Sequence, residues 1–369
     1  MFYYLDESMI QLLFNILRDA LWRDEIQGAK LLPCELSEAE ATELVDLVKK
    51  QALLGLAIDA LFRNNVKMPR KNVVRCVNLQ DLITQQVKRI NHGVIELHQL
   101  FTQEGIDYSI VKGQVVAAYY PDARLRHPGD IDYYCDSKNF EKAYQLLKER
   151  WGIIPDEKDA GHHLCFDHGG VTFEGHFALL VPYGKKERAY WNQLLDSDPG
   201  GTVTVDGVEI KTLSPTVHTL YIFRHLYNHL LNLGVGLRQF CDLAVMLHYA
   251  KEKIDMDALR VHLKALGLEK AWRACGVILV DHLGLPEGDL GYTLSAQDRS
   301  YAKRILDVVI YNGNMGHYEG TQLRENEEQI GKMKLACIKL FHFMKFAPIA
   351  PHFSYDWLWY QVKRAFARE

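Results

Sequence analysis

The chain has 369 residues, 48% of them hydrophobic, and its 43 Lys plus Arg against 47 Asp plus Glu give a formal charge of −4. Such a chain can bury one large core or two to three ordinary ones, but it lacks the broad positive field of a protein that holds nucleic acid by its phosphates, so small molecules or proteins are favoured as partners over RNA. No stretch approaches the apolar length of a membrane span, the opening MFYYLDESMIQLLFNILRD carries acids, and the seven cysteines stand singly without a C-x-x-C pair, so no span, signal peptide, disulfide framework or thiolate zinc site is expected and the default address is the cytoplasm.

Taken in order, residues 1–104 read as helical throughout. Ser37 and Glu40 make a capping box, Leu36 to Phe62 keep apolar residues at helical spacing, and Pro69 opens a long helix from about Arg70 to Glu104. The periodicity then changes. Ile106 to Val111 reads as a strand, Gln114 to Tyr120 as a short helix, Ile131 to Cys135 as a strand and Asn139 to Arg150 as a helix. His162 to Phe166 and Val171 to Leu179 form a hairpin, and Thr202 to Val205 and Val208 to Leu213 form another across Asp206-Gly207. Ser214-Pro215 supplies an N-cap and a first-turn proline, after which the pattern is helical to the end. The resulting division is a helical region at 1–104, an α/β core at 105–213 and a helical domain at 214–369.

The chemistry concentrates in Asp130-Ile131-Asp132. On a strand the two carboxylates share a face with Cα atoms roughly 6.5 Å apart, a spacing that holds a divalent cation. Hard oxygen donors suit Mg²⁺, which completes its shell with substrate phosphates and so points to an NTP. Glu174 and His176 also share a face, leaving His176 as a partner of a metal ligand, a base or a substrate contact. Gly113 permits close backbone approach at a strand-to-helix junction, Lys112 adds a charge there, and Arg126 either binds triphosphate or neutralises the acids. The blander reading is that D-x-D sits on an exposed strand end and Lys-Gly forms a turn.

His162, His163, Cys165 and His168 invite zinc, but strand alternation splits them between faces, so histidines lining a pocket are the better reading and His163 can approach substrate. His225 and His229 share a helix face, where packing or hydrogen bonding is favoured over metal. Arg238 and Asp242 do so on the next helix, where an ion pair is expected. Phe353, Trp357, Trp359 and Tyr360 with Lys363, Arg364 and Arg368 describe a helix docked on the core with a basic edge.

The run Ile110-Val111-Lys112-Gly113, Tyr120-Pro121-Asp122, Arg126 and Asp130-Ile131-Asp132, then Glu174-Gly175-His176 and Leu237-Arg238-Gln239-Phe240-Cys241-Asp242-Leu243, resembles the uncharacterised bacterial nucleotidyltransferase family of the polymerase-β-like superfamily, over roughly residues 90–250. The resemblance implies an α+β fold with a small mixed sheet flanked by helices, a glycine-opened helix holding the triphosphate, and two magnesium ions on a D-x-D strand plus a third acid from a neighbouring strand. Asp130, Asp132 and Glu174 match those acids as catalytic and metal-binding residues, and Lys112, Gly113, Gln114 and Arg126 match the nucleotide-binding stretch. Lys112-Gly113-Gln114 stands where the superfamily commonly has Gly-Ser, and the gap from Gly113 to Asp130 is longer than in its minimal members. His163, His176, His225, Arg238 and Asp242 are the further candidates for substrate contact or support. The expected activity is Mg²⁺- or Mn²⁺-dependent transfer of NMP from an NTP, ATP among them, to a hydroxyl of a small molecule or protein. The alternatives are addition to an RNA end, or a silent nucleotide-binding or assembly protein.

Overall fold

The computed structural model describes residues 6–23, 32–154, 163–179, 184–232, 234–312 and 344–349. His162 and the aromatic-basic stretch from Phe353 to Arg368 lie outside them. Capping chemistry sets the first helices: the Asp6 carboxylate accepts from Ser8 N–H ahead of α1 (Glu7–Trp22), and the expected Ser37/Glu40 capping box opens α2 (Glu38–Lys50). The stretch from Leu36 to Phe62, with its apolar residues at helical spacing, forms two helices, because Ala52 takes φ +55° and the chain restarts as α3 (Leu54–Arg63). After Pro69, α4 runs unbroken over Arg70–Gln103.

The sheet then forms. In chain order come β1 (Ser109–Val111), α5 (Gly113–Ala117), β2 (Ile131–Tyr134), α6 (Ser137–Trp151), β3 (His163–His168), β4 (Val171–His176), α7 (Lys185–Asp196), β5 (Gly201–Val205) and β6 (Val208–Thr212). Both expected hairpins are present, β3/β4 across Gly169-Gly170 and β5/β6 across Asp206-Gly207, whose φ values of +45° and +83° are those a two-residue turn demands. The six strands lie in the order β3-β4-β2-β1-β6-β5, with β2 parallel to β4 and antiparallel to β1. This register sets Asp132 beside Glu174 and Val111 beside Asp132. Helix α7 is not foreseen by the sequence pattern; Trp191 is its only buried residue, which leaves little periodic signal.

Beyond residue 214 follow α8 (Pro215–Asn232), α9 (Leu237–Tyr249), α10 (Met256–Ala265), α11 (Glu269–Val277), α12 (Glu287–Leu290) and α13 (Ala296–Asn312). The fold is α+β. Helices α1–α3 share a core with α8–α13, while the sheet packs a second core with α6 and the C-terminal half of α4, through Ile90, Val94, Leu97 and Phe101. Polar ties join the chain's two helical regions: Trp22 Nε1 donates to the Leu283 carbonyl at 2.6 Å, and buried Gln51 donates to the Val309 carbonyl while accepting from Leu237 N–H. No helix among the described residues is long and apolar enough to cross a membrane.

Candidate functional site

Strand β1 gives way to Lys112, which takes φ +56° and ψ −132°, a conformation that costs a residue with a side chain on the order of 1–3 kcal/mol. Helix α8 holds it there, since Lys112 N–H donates to His218 Nε2 at 2.9 Å. Burial keeps that imidazole neutral, its pKa down to about 3, so the nitrogen facing Lys112 is free to accept. The strained turn aims the lysine across the sheet at β2, where Nζ lies 2.5 Å from Asp132 Oδ1.

Asp132 is 2% exposed and receives a second partner, His176 Nε2, at 2.9 Å. Burial would raise its pKa, but the Lys112 ammonium and the His176 bond overcome that and hold it at about 2. The ammonium is likewise penalised by burial yet held charged, chiefly by Asp132. Glu174, in register with Asp132 on β4, lies 3.7 Å from His176 Nε2. Its carboxyl is pushed up to about 7 by burial and then by Asp132 and Asp130. Donor atoms of Asp132, Glu174 and His176 all lie within 4.8 Å of one another. The tightest set therefore differs from the expected trio: Asp130 precedes β2 and lies on the surrounding wall, and His176 takes the third place.

Asp130, Asp132 and Glu174 open into a cavity of about 1060 Å³, whose lining does not include His176. Lys112, Gly113, Asp130, Asp132 and Glu174 form one part of its wall, Arg126, His127, Gly129 and Arg238 another, and His225 and His229 line it from α8. The last stretch comes from the N-terminal helices: Lys49 and Lys50 end α2, and Leu79, Leu82 and Ile83 lie on α4. Neither His127 nor the α2 and α4 residues carry a motif, so only the tertiary fold reveals them.

Several expectations are revised by partner choice. Arg238 and Asp242 do not pair; Asp242 instead takes Arg126 in a buried fork, Nε to Oδ1 at 2.8 Å and Nη2 to Oδ2 at 2.9 Å, with the Tyr120 hydroxyl also on Oδ1 at 2.7 Å. Arg126 thus lines the cavity while committed to a carboxylate, and it neutralises Asp242 rather than the acids of β2 and β4. Gln114 is buried against Asn91 of α4, to which its amide donates, and does not line the cavity. His225 and His229 bond to each other, Nε2 to Nε2 at 3.0 Å, and burial first, then the Lys112 charge, keeps both neutral, His229 at about 4. His163 sits opposite His176 in the β3/β4 register.

The acids, the strained lysine turn and the cation-lined wall all fall inside residues 37–284, the stretch matched by the model of a family described as "Uncharacterised nucleotidyltransferase". A solved structure of an antigenic nucleotidyltransferase-like protein from Paracoccidioides brasiliensis shares 16% identity and covers 57% of this chain and 95% of its own, at a TM-score of 0.36, too low to bear on fold or function. No curated protein matches the chain. The family match takes in well over half of the sequence, and the chain belongs to this nucleotidyltransferase family.

Proposed function

We propose that the protein transfers a nucleoside monophosphate from an NTP to a hydroxyl on a small molecule or protein, with Mg²⁺ or Mn²⁺ held by Asp132 and Glu174 and supported by Asp130 and His176. The observation that carries this reading is that Asp132 and Glu174, with His176 close to both, face a cavity whose other walls bear Arg126, Arg238, Lys49 and Lys50. Anionic donors facing cationic walls fit a metal–triphosphate, whose two ends carry opposite demands. The donor set fits a hard divalent cation, and Asp132 already engages one positive charge at 2.5 Å. When bound, such an ion lowers the pKa of the attacking hydroxyl and offsets charge on the leaving pyrophosphate.

In the transfer, the acceptor oxygen bonds to the α-phosphorus, the bond from that phosphorus to the bridging oxygen breaks, and pyrophosphate leaves. The hydroxyl proton passes to a carboxylate of this wall, Asp130 or Glu174, because burial and the Lys112 charge make the His225–His229 pair too weak a base to hold it. One observation favours a second reading: Lys112 already satisfies Asp132, as it would in a silent nucleotide-binding protein. Thermal unfolding with Mn²⁺ and a non-hydrolysable NTP tests nucleotide and metal binding together, by mass action on the folded state. Glu174→Gln leaves the Lys112–Asp132 pair in place, so it isolates the metal. Wild type should gain several degrees and Glu174→Gln should not; equal gains would remove Glu174 from the site.

A further inference from the structure

Asp242 has one negative charge and two guanidinium neighbours. Arg126 takes both of its oxygens, and Tyr120 shares one. Arg238 is left without a carboxylate: its hydrogen bond runs from Nη1 to the His127 carbonyl at 3.1 Å, its Nε is buried with no partner, and it forms no ion pair among the described residues. A guanidinium cannot shed its proton to escape this cost. Gly129 lies against it, since a side chain there would sit 3.6 Å from Nη1, so Arg238 borders the loop that leads into Asp130. His127, also on the cavity wall, has its Nδ1 buried without a partner. The histidines that line this cavity, His127, His225 and His229, are held neutral by burial, so none of them supplies or cancels the charge. The wall therefore carries a guanidinium with no carboxylate bonded to it, next to unsatisfied polar atoms, with Asp242 and Asp130 near it but not paired to it.

We propose that Arg238 is an oxyanion seat that takes the pyrophosphate end of the nucleotide, while Arg126 serves to brace the loop through Asp242. A planar fork on the cavity wall with no carboxylate bonded to it suits a phosphoryl group, which accepts two parallel N–H bonds. The identity of the anion rests on the nucleotidyl-transfer reading; the seat itself does not need a nucleotide. The test is calorimetric titration of the full chain with inorganic tripolyphosphate, at low ionic strength and without divalent metal. Wild type should bind, and Arg238→Gln should bind at least about tenfold more weakly, the loss expected of one charged hydrogen-bonding partner. Arg238→Lys keeps the charge but not the fork and should recover part of the affinity. Affinity within twofold of wild type in Arg238→Gln would overturn the assignment, as would a wild type that does not bind; if Arg238→Gln does not fold, unaltered affinity in Arg238→Lys would overturn the fork. Tripolyphosphate binding that depends on Arg238 in a protein that transfers no nucleotide would keep the seat and end the nucleotidyl reading. Arg238-independent binding in an active transferase would do the reverse.

Discussion

Lys112 combines two costs that proteins rarely pay at one position, a left-handed backbone and a buried charge. Its location on the superfamily-like turn was legible in the sequence, whereas its partner was not, because only the β1/β2 register brings residue 112 over Asp132. Removing the ammonium leaves Asp132 as a buried carboxylate with His176 alone. Lys112→Met should therefore lose about 3–5 kcal/mol in metal-free buffer, measured by urea unfolding, and should regain a large part with Mn²⁺. A loss that Mn²⁺ does not reduce would mean that the cation site and the lysine site are separate. Glu174 makes the complementary pH prediction. Between pH 4.5, its ordinary value, and about 7, the folded protein keeps a proton that the unfolded chain has released, so this group's contribution is full below that window and lost as pH rises through it. The melting temperature of the metal-free protein should fall by a few degrees across the window relative to Glu174→Gln. Mn²⁺ should flatten the decline by drawing on the ionised form.

Strand β4 delivers Glu174 and His176 to one face, as alternation alone predicts, but the residue between them fixes how closely they approach β2. A side chain at Gly175 would collide with the hydroxyl and ring of Tyr133, which is fully buried. Gly175→Ala should cost about 1–3 kcal/mol by overpacking and weaken the Mn²⁺ response by displacing both donors; a stable variant with an unchanged response would show that β4 is free to shift. The elements show why the rest of the site was not legible. Arg238 and Asp242 satisfy the local i,i+4 rule, yet a carboxylate that can be buried in a two-pronged bond goes to Arg126, 116 residues away. Gln114 follows the glycine that opens α5, where a phosphate contact is expected, but its neighbour in space is Asn91 of α4. Sequence spacing reports shared faces; it does not report which face of another element arrives to meet them.

For the whole molecule, the helical body and the sheet have separate cores and α4 belongs to both, with Cys76, Ile83 and Val87 in one and Ile90, Val94, Leu97 and Phe101 in the other. The cavity forms where those cores adjoin, with acids from the sheet, arginines from the loop and α9, and lysines from the end of α2. The division into strands and helices was largely legible from periodicity, whereas the union of the first and last helical regions in one core was not, because Gln51 and Trp22 find their partners only through the tertiary fold. The central claim is that this cavity moves a nucleotide, and the α-phosphorus is the atom that decides it. Incubated with Mn²⁺, NTPs labelled at the α- or the γ-phosphate, and a panel of metabolites, proteins and RNA, the wild-type chain should place α-label, and never γ-label, on a small molecule or protein, and Glu174→Gln should place none. Label from the γ-phosphate, α-label on RNA alone, or no label on any acceptor would contradict the account.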